Sequence, residues 1–119
     1  SRARLTGFVA LAEGDVELRS RPEDSEQEFR MEAELGVPNV VVVFQIEDPE
    51  NPGSWIVLET RVTRTDGEAE FQRKTGDGDT LPLGVDDVSE LVGLAVRVTQ
   101  DTADGEVLLS GTIAPLVAD

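Results

Sequence analysis

The sequence predicts an all-β fold: an antiparallel β-sandwich, Ig-like or Greek-key, or a small barrel of about eight strands. One domain spans residues 1–119. Three observations lead there. Apolar and polar residues alternate with period two in one run after another. The runs are separated by aspartate, glycine and proline at turn positions. A single stretch, 85–92, has helical spacing, and it is short. A chain of this length buries roughly two thirds of its unfolded surface, which supports a core without disulfides or metals.

The first run is 5–12, with Leu5, Gly7, Val9 and Leu11 on one side and Phe8 and Ala10 on the other. Glu13-Gly14-Asp15 reads as a tight connection to a second run, 16–20. The run 27–35 is the clearest. Phe29, Met31, Ala33 and Leu35 share one face; Glu28, Arg30, Glu32 and Glu34 share the other. A helix would spread these acids around its circumference, whereas a strand sorts them into a core face and a water face. That pattern outweighs the helix propensity of Glu, Met and Ala.

The run 40–47 begins apolar on both faces, so it is expected in the middle of a sheet with both sides covered. Two prolines at 49 and 52 then forbid a ladder. In 55–65, Ile56, Leu58, Thr60 and Val62 oppose Glu59, Arg61 and Thr63, with Trp55 on the face of Val57. Asp66-Gly67 is a hairpin turn into 68–73, where Ala69 and Phe71 face inward. The runs 94–100 and 107–113 form a second hairpin around 101–105, with Leu94, Val96, Val98, Val107, Leu109 and Ile113 inward. Between the hairpins, Val85, Val88, Leu91 and Val92 have helical spacing. Asp86 or Asp87 would cap that helix, with Glu90 behind. Leu83, Val88 and Leu91 are expected to plug one end of the core. Leu5-Thr6-Gly7-Phe8-Val9 is similar to Leu109-Ser110-Gly111-Thr112-Ile113, as neighbouring terminal strands using glycine for close approach would be.

Composition removes whole classes of chemistry. There is no cysteine, histidine or tyrosine, and Lys74 is the one lysine. Disulfides, thiolate metal sites, cysteine nucleophiles and Ser-His-Asp triads are excluded. The commonest ligand for zinc and copper is missing as well. The chain has 25 acids against 10 bases, a net charge of −15. Such a domain is repelled by nucleic-acid backbones and anionic membrane surfaces, so no nucleic-acid partner is expected. No apolar run approaches the roughly 18–20 residues of a membrane span, so no membrane insertion is expected. Acidity with almost no lysine fits a high-salt habitat and a GC-rich genome equally.

Four constellations carry candidate chemistry. Asp77 and Asp79 sit in a glycine-rich loop, with Asp86 and Asp87 soon after. Calcium takes six to eight hard oxygens from flexible loops, so these four aspartates are the candidate metal ligands and calcium the one candidate cofactor. They do not follow the EF-hand pattern, and a chain with 25 acids places aspartates in solvated turns by composition alone. Paired carboxylates would suit a small hydrolase, but such enzymes need a cleft lined with aromatics, and here there are one tryptophan and four phenylalanines. Trp55 is either a recognition anchor or a cap on the core, and packing is favoured. Arg19, Arg30, Arg61, Arg64, Arg73 and Arg97 are expected to pair across strands with Glu17, Glu28, Glu32, Glu59 and Glu70.

The segments 66–71, 93–98 and 105–111 (Asp-Gly-Glu-Ala-Glu-Phe, Gly-Leu-Ala-Val-Arg-Val, Gly-Glu-Val-Leu-Leu-Ser-Gly) resemble small β-sandwich domains of predicted bacterial surface or secreted proteins of unknown function. The first half resembles the opening strands of superoxide-dismutase-like sandwiches, without the histidines of their copper–zinc site. These resemblances imply an extracytoplasmic module and carry over no functional residue. The resulting expectation is a non-enzymatic structural or interaction module of a surface, secreted or assembly protein. It would contact a protein partner or a second copy of itself, as a homodimer, through an edge strand or through 40–44. A calcium-binding β domain, a small carboxylate-dependent hydrolase and a hollow barrel holding an apolar ligand are the alternatives.

Overall fold

A computed structural model describes residues 2–7, 12–21 and 26–114. Eight strands follow one another: β1 (Arg2–Gly7), β2 (Glu13–Arg21), β3 (Glu26–Glu34), β4 (Val41–Glu47), β5 (Trp55–Val62), β6 (Glu68–Lys74), β7 (Ala95–Gln100) and β8 (Val107–Thr112). All pair antiparallel, in the order β5-β4-β7-β8-β1-β2-β3-β6. The fold is all-β, as the alternation predicts. A three-stranded sheet, β2-β3-β6, packs against a four-stranded sheet, β5-β4-β7-β8. β1 joins them, pairing through residues 2–5 with β2 and through Thr6 and Gly7 with β8.

Short turns link β4 to β5 and β5 to β6, and residues 75–94 then carry the chain back to lay β7 beside β4, a Greek-key connection. At the turn after β5, the Arg64 N–H donates to the Glu68 carbonyl and the Gly67 N–H to the Arg64 carbonyl. The two free edges, β5 and β6, therefore start side by side and then separate. The Arg73 guanidinium spans the seam, donating to the Leu58 carbonyl.

The core lies between the sheets. Phe29, Met31 and Leu18 come from one, Phe44, Ile46, Val96, Val98 and Leu109 from the other, all fully buried. Phe71 stacks at 5.9 Å from Phe29 and 5.0 Å from Phe44, joining the sheets through their aromatic rings. β3 alternates as predicted, with Phe29, Met31 and Ala33 inward. β4 is buried on both faces and paired on both sides, in the middle of its sheet as the run 40–47 predicts, so residues 41–44 have no free backbone edge to offer a partner. No helix among the described residues is long and apolar enough to cross a membrane.

Three expectations need correction. Glu13-Gly14-Asp15, read as a turn, opens β2 in register with Glu34, Ala33 and Glu32. Gly14 is there because a Cβ would stand 2.5 Å from the Glu32 carbonyl oxygen and 2.9 Å from a Leu109 methyl. The helix at 85–92 is one 3-10 turn over Val88–Leu91, although Asp87 and Glu90 do form its capping box and Val88 and Leu91 do plug the core. In β5, a bulge at Leu58 flips the alternation, so Val62 points outward and Thr63 is buried. Phe8, Val9, Ala10 and Leu11 of the first predicted run lie outside the described residues.

Candidate functional site

The buried side chains between the sheets are apolar almost throughout, so among the described residues the charged groups lie on the two outward sheet faces and in the loops. On the three-stranded sheet, register places acids opposite acids. Glu13, Glu34 and Glu68 form one row across β2, β3 and β6; Asp15, Glu32 and Glu70 form the next. Like charges directly opposite on neighbouring strands repel. Arg30, in the following row, partly offsets this by donating to Glu32 at 2.7 Å and Glu70 at 2.6 Å. That hydrogen bond to Glu70, with the surrounding acids, holds the guanidinium's pKa above its ordinary value against its partial burial. Arg64 adds a 3.4 Å contact to Glu68.

Glu32, Glu34 and Glu68 bring carboxylate oxygens within 4.8 Å of one another. Carboxylates gathered on one patch of surface disfavour each other's charge and raise the pKa of one of their number. A hydrogen bond with Glu68 comes first among the causes, then burial, then the charges of Glu68, Glu32 and Glu13; together they push Glu34 up to about 7. The trio is not evident in the sequence because Glu32 and Glu34 of β3 meet Glu68 of β6 only through strand pairing, 34 or more residues away along the chain. The signal was present: the outward acids of 27–35 have to face something on each neighbouring strand.

The four aspartates read from the sequence stand elsewhere, and all four side chains are exposed. Asp79 accepts the Lys74 N–H at 2.9 Å, tying off the end of β6. Asp87 accepts the Ser89 N–H at 2.9 Å, and this bond lowers its pKa. Asp86 lends its carbonyl to the Gln27 side chain. Asp77 lies in the 3-10 turn Thr75–Asp77. Among the described residues, the group of three or more carboxylates close enough to share an ion is Glu32, Glu34 and Glu68.

The four-stranded sheet presents different chemistry. Gln45 of β4 is fully buried although it points outward, because the loop after β7 folds over it. Asp101 takes a left-handed backbone (φ 66°) and donates its N–H to the Val41 carbonyl, which turns the loop onto the sheet. Gln45 Nε2 then donates to Thr99 Oγ1 at 2.8 Å and to the Ala103 carbonyl at 3.0 Å. Thr99 Oγ1 donates to the Thr102 carbonyl at 2.7 Å. Gln45 Oε1 accepts from Arg97 Nε and Nη2 at 3.2 and 3.1 Å. The Arg97 guanidinium lies 4.3 Å over the Trp55 ring. Trp55 is thus half-buried on the face of Val57, as the alternation places it. The expected cross-strand arginine pairing occurs in part: Arg30 reaches Glu70 and Arg73 reaches Glu59 on neighbouring elements, whereas Arg19 with Glu17, Arg30 with Glu32 and Arg61 with Glu59 pair along one strand, and Arg97 has no carboxylate partner among the described residues.

No family model matches the chain, and no curated protein matches it.

Proposed function

We propose that the domain is a non-enzymatic contact module, a rigid sandwich that serves a surface, secreted or assembly protein through its outward faces. The filled core carries this reading. Phe29, Phe44, Leu18, Met31, Ile46 and Leu109 are fully buried between the sheets, which leaves no support for a hollow ligand-binding barrel. The hydrolase alternative has one attractive feature, a carboxyl raised to about 7 beside a second carboxyl. The two carboxyls stand side by side in the register of β3 and β6 on an outward sheet face, and a hydrolase would need a cleft around them to hold its substrate.

A photoreactive side chain at Val57, on the four-stranded face, and at Gln72, on the three-stranded face, tests the reading in the organism that makes the protein. A reproducible protein adduct from either face is expected. Adducts from neither face would overturn it.

A second reading, cation binding, is favoured by one observation. Glu32, Glu34 and Glu68 converge with Arg30 on Glu32 and Arg64 on Glu68 but no arginine on Glu34, and a calcium ion there would relieve the repulsion that the proton at Glu34 otherwise relieves.

A further inference from the structure

The two outward faces differ in the property that separates interface cores from ordinary surface. Interface cores are depleted in charge and enriched in tryptophan and arginine. On the three-stranded sheet every outward row carries two or three charges, from Glu13, Glu34 and Glu68 at one end to Arg19, Glu28 and Lys74 at the other. On the four-stranded sheet, the row Val57, Gln45, Arg97 and Ser110 runs across β5, β4, β7 and β8 with one charge in it. Val57 leaves 47% of its surface exposed there.

Arg97 is unlike the other arginines. Six have described side chains, and Arg19, Arg30, Arg61, Arg64 and Arg73 each pair with a carboxylate. Arg97 has no carboxylate partner among the described residues. Its guanidinium is nevertheless held still, by Gln45 Oε1, by the Ala103 carbonyl at 3.0 Å and by the Trp55 ring. Those contacts use Nε and Nη2 and leave Nη1 without an acceptor among the described residues. A cation fixed in advance loses little side-chain entropy on binding, and a guanidinium fork is shaped for a carboxylate.

We infer that Arg97, Trp55 and Val57 form a docking surface for an extended segment of a partner protein, which sets an aspartate or glutamate side chain on Arg97 and an apolar side chain against Trp55 and Val57. This rests on the contact-module reading and names its surface and partner chemistry. The complementarity is local. A net charge of −15 repels both an acidic run and a second copy of this chain, so the segment it selects carries a single acid between apolar residues.

Trp55 is the only tryptophan, so its fluorescence reports on the patch directly. The probes are Ac-Val-Glu-Val-NH2 and its Gln and Lys counterparts, titrated into the full chain, with the Arg97 Nε–H followed by NMR. The glutamate peptide should give a saturable response with millimolar affinity, weakened about fivefold or more for the Gln and Lys peptides. Arg97→Gln should abolish it. Because that variant also loosens Gln45, Ser110→Asp is the cleaner test. It places a carboxylate opposite Arg97 in the β7–β8 register and should block the peptide while the fold stays intact.

Equal responses to the three peptides, no saturation up to about 10 mM, or a response surviving Ser110→Asp would overturn the inference. So would self-association abolished by Ser110→Asp, which would make the occupant a second copy. A photo-adduct at Gln72 without any peptide response removes this surface and leaves the contact-module reading standing; adducts from neither face remove both.

Discussion

Gln45 makes every hydrogen bond that its amide can make to the loop over it, and it does so with no exposure to water. A buried amide is costly unless fully satisfied, so its value lies in what its removal would strand. Gln45→Leu fills the same space but leaves the Thr99 hydroxyl without its donor, the Ala103 carbonyl with Arg97 alone, and Arg97 Nε without its acceptor. The expected cost is about 1–3 kcal/mol in urea unfolding. Faster hydrogen exchange should be confined to residues 99–106, with β2 and β3 unaffected. A loss spread evenly over both sheets would contradict the latch. Gln45 could be placed on a central strand from sequence alone. Its partners could not, because Ala103 and Thr102 contribute carbonyls, and a carbonyl has no residue identity to read. Gly14 makes the same point from the other side. Glu-Gly-Asp has turn chemistry, and only the approach of Leu109 and the Glu32 backbone shows why a glycine sits within a strand.

Among the elements, β5 departs furthest from its pattern, and one extra residue is the cause. In pairing with β4, Phe44 faces Glu59 and Gln45 faces Val57, which leaves Leu58 as the bulge. Its side chain stays in the core, and its carbonyl takes the Arg73 guanidinium from β6. Arg73 also contacts Glu59 at 3.7 Å and covers Phe71 at 5.6 Å, so it closes the one seam that the strand order leaves without a backbone ladder. Arg73→Met keeps the apolar cover over Phe71 and removes the donor. It is expected to cost about 1–2 kcal/mol and to raise the exchange of β5 amides. Unchanged β5 exchange would show that the seam does not depend on the bridge. Strands β3 and β6 were legible because they alternate, and β4 because its apolar run fits a strand buried on both faces. The bulge was not, since a bulge depends on the partner strand, and period two continued through Leu58 gives a plausible but wrong face to Val62. The 3-10 turn at Val88–Leu91 was legible in its cap and its apolar spacing. Its brevity was not: the N–H of Val88 and the carbonyl of Asp86 are held by the Gln27 side chain, 61 and 59 residues away in sequence, instead of by further helix.

At the scale of the whole molecule, the acidic rows of β2, β3 and β6 set how stability answers to pH. Glu34 titrates from an ordinary value of 4.5 when unfolded to about 7 when folded. Between those values the native state holds a proton that the unfolded chain has released. Stability therefore falls as pH rises through that window, and the cost is complete above pH 7. This is the opposite of the usual behaviour of a paired carboxylate, and the missing residues make it visible. With no histidine or cysteine in the chain, no other side chain ordinarily titrates between about pH 6 and pH 8. The thermal midpoint should drop from about pH 6 to about pH 7 in the native sequence and level off above that. In Glu34→Gln it should be flat, and higher at about pH 8. Calcium added at about pH 8 should replace the lost proton if the trio binds it, raising the midpoint more than magnesium does at matched ionic strength. That calcium increment should vanish in Glu34→Gln and survive Asp79→Asn. An increment lost in Asp79→Asn and kept in Glu34→Gln would return cation binding to the loop aspartates, and equal effects of the two ions would mean only that salt screens a chain of net charge −15.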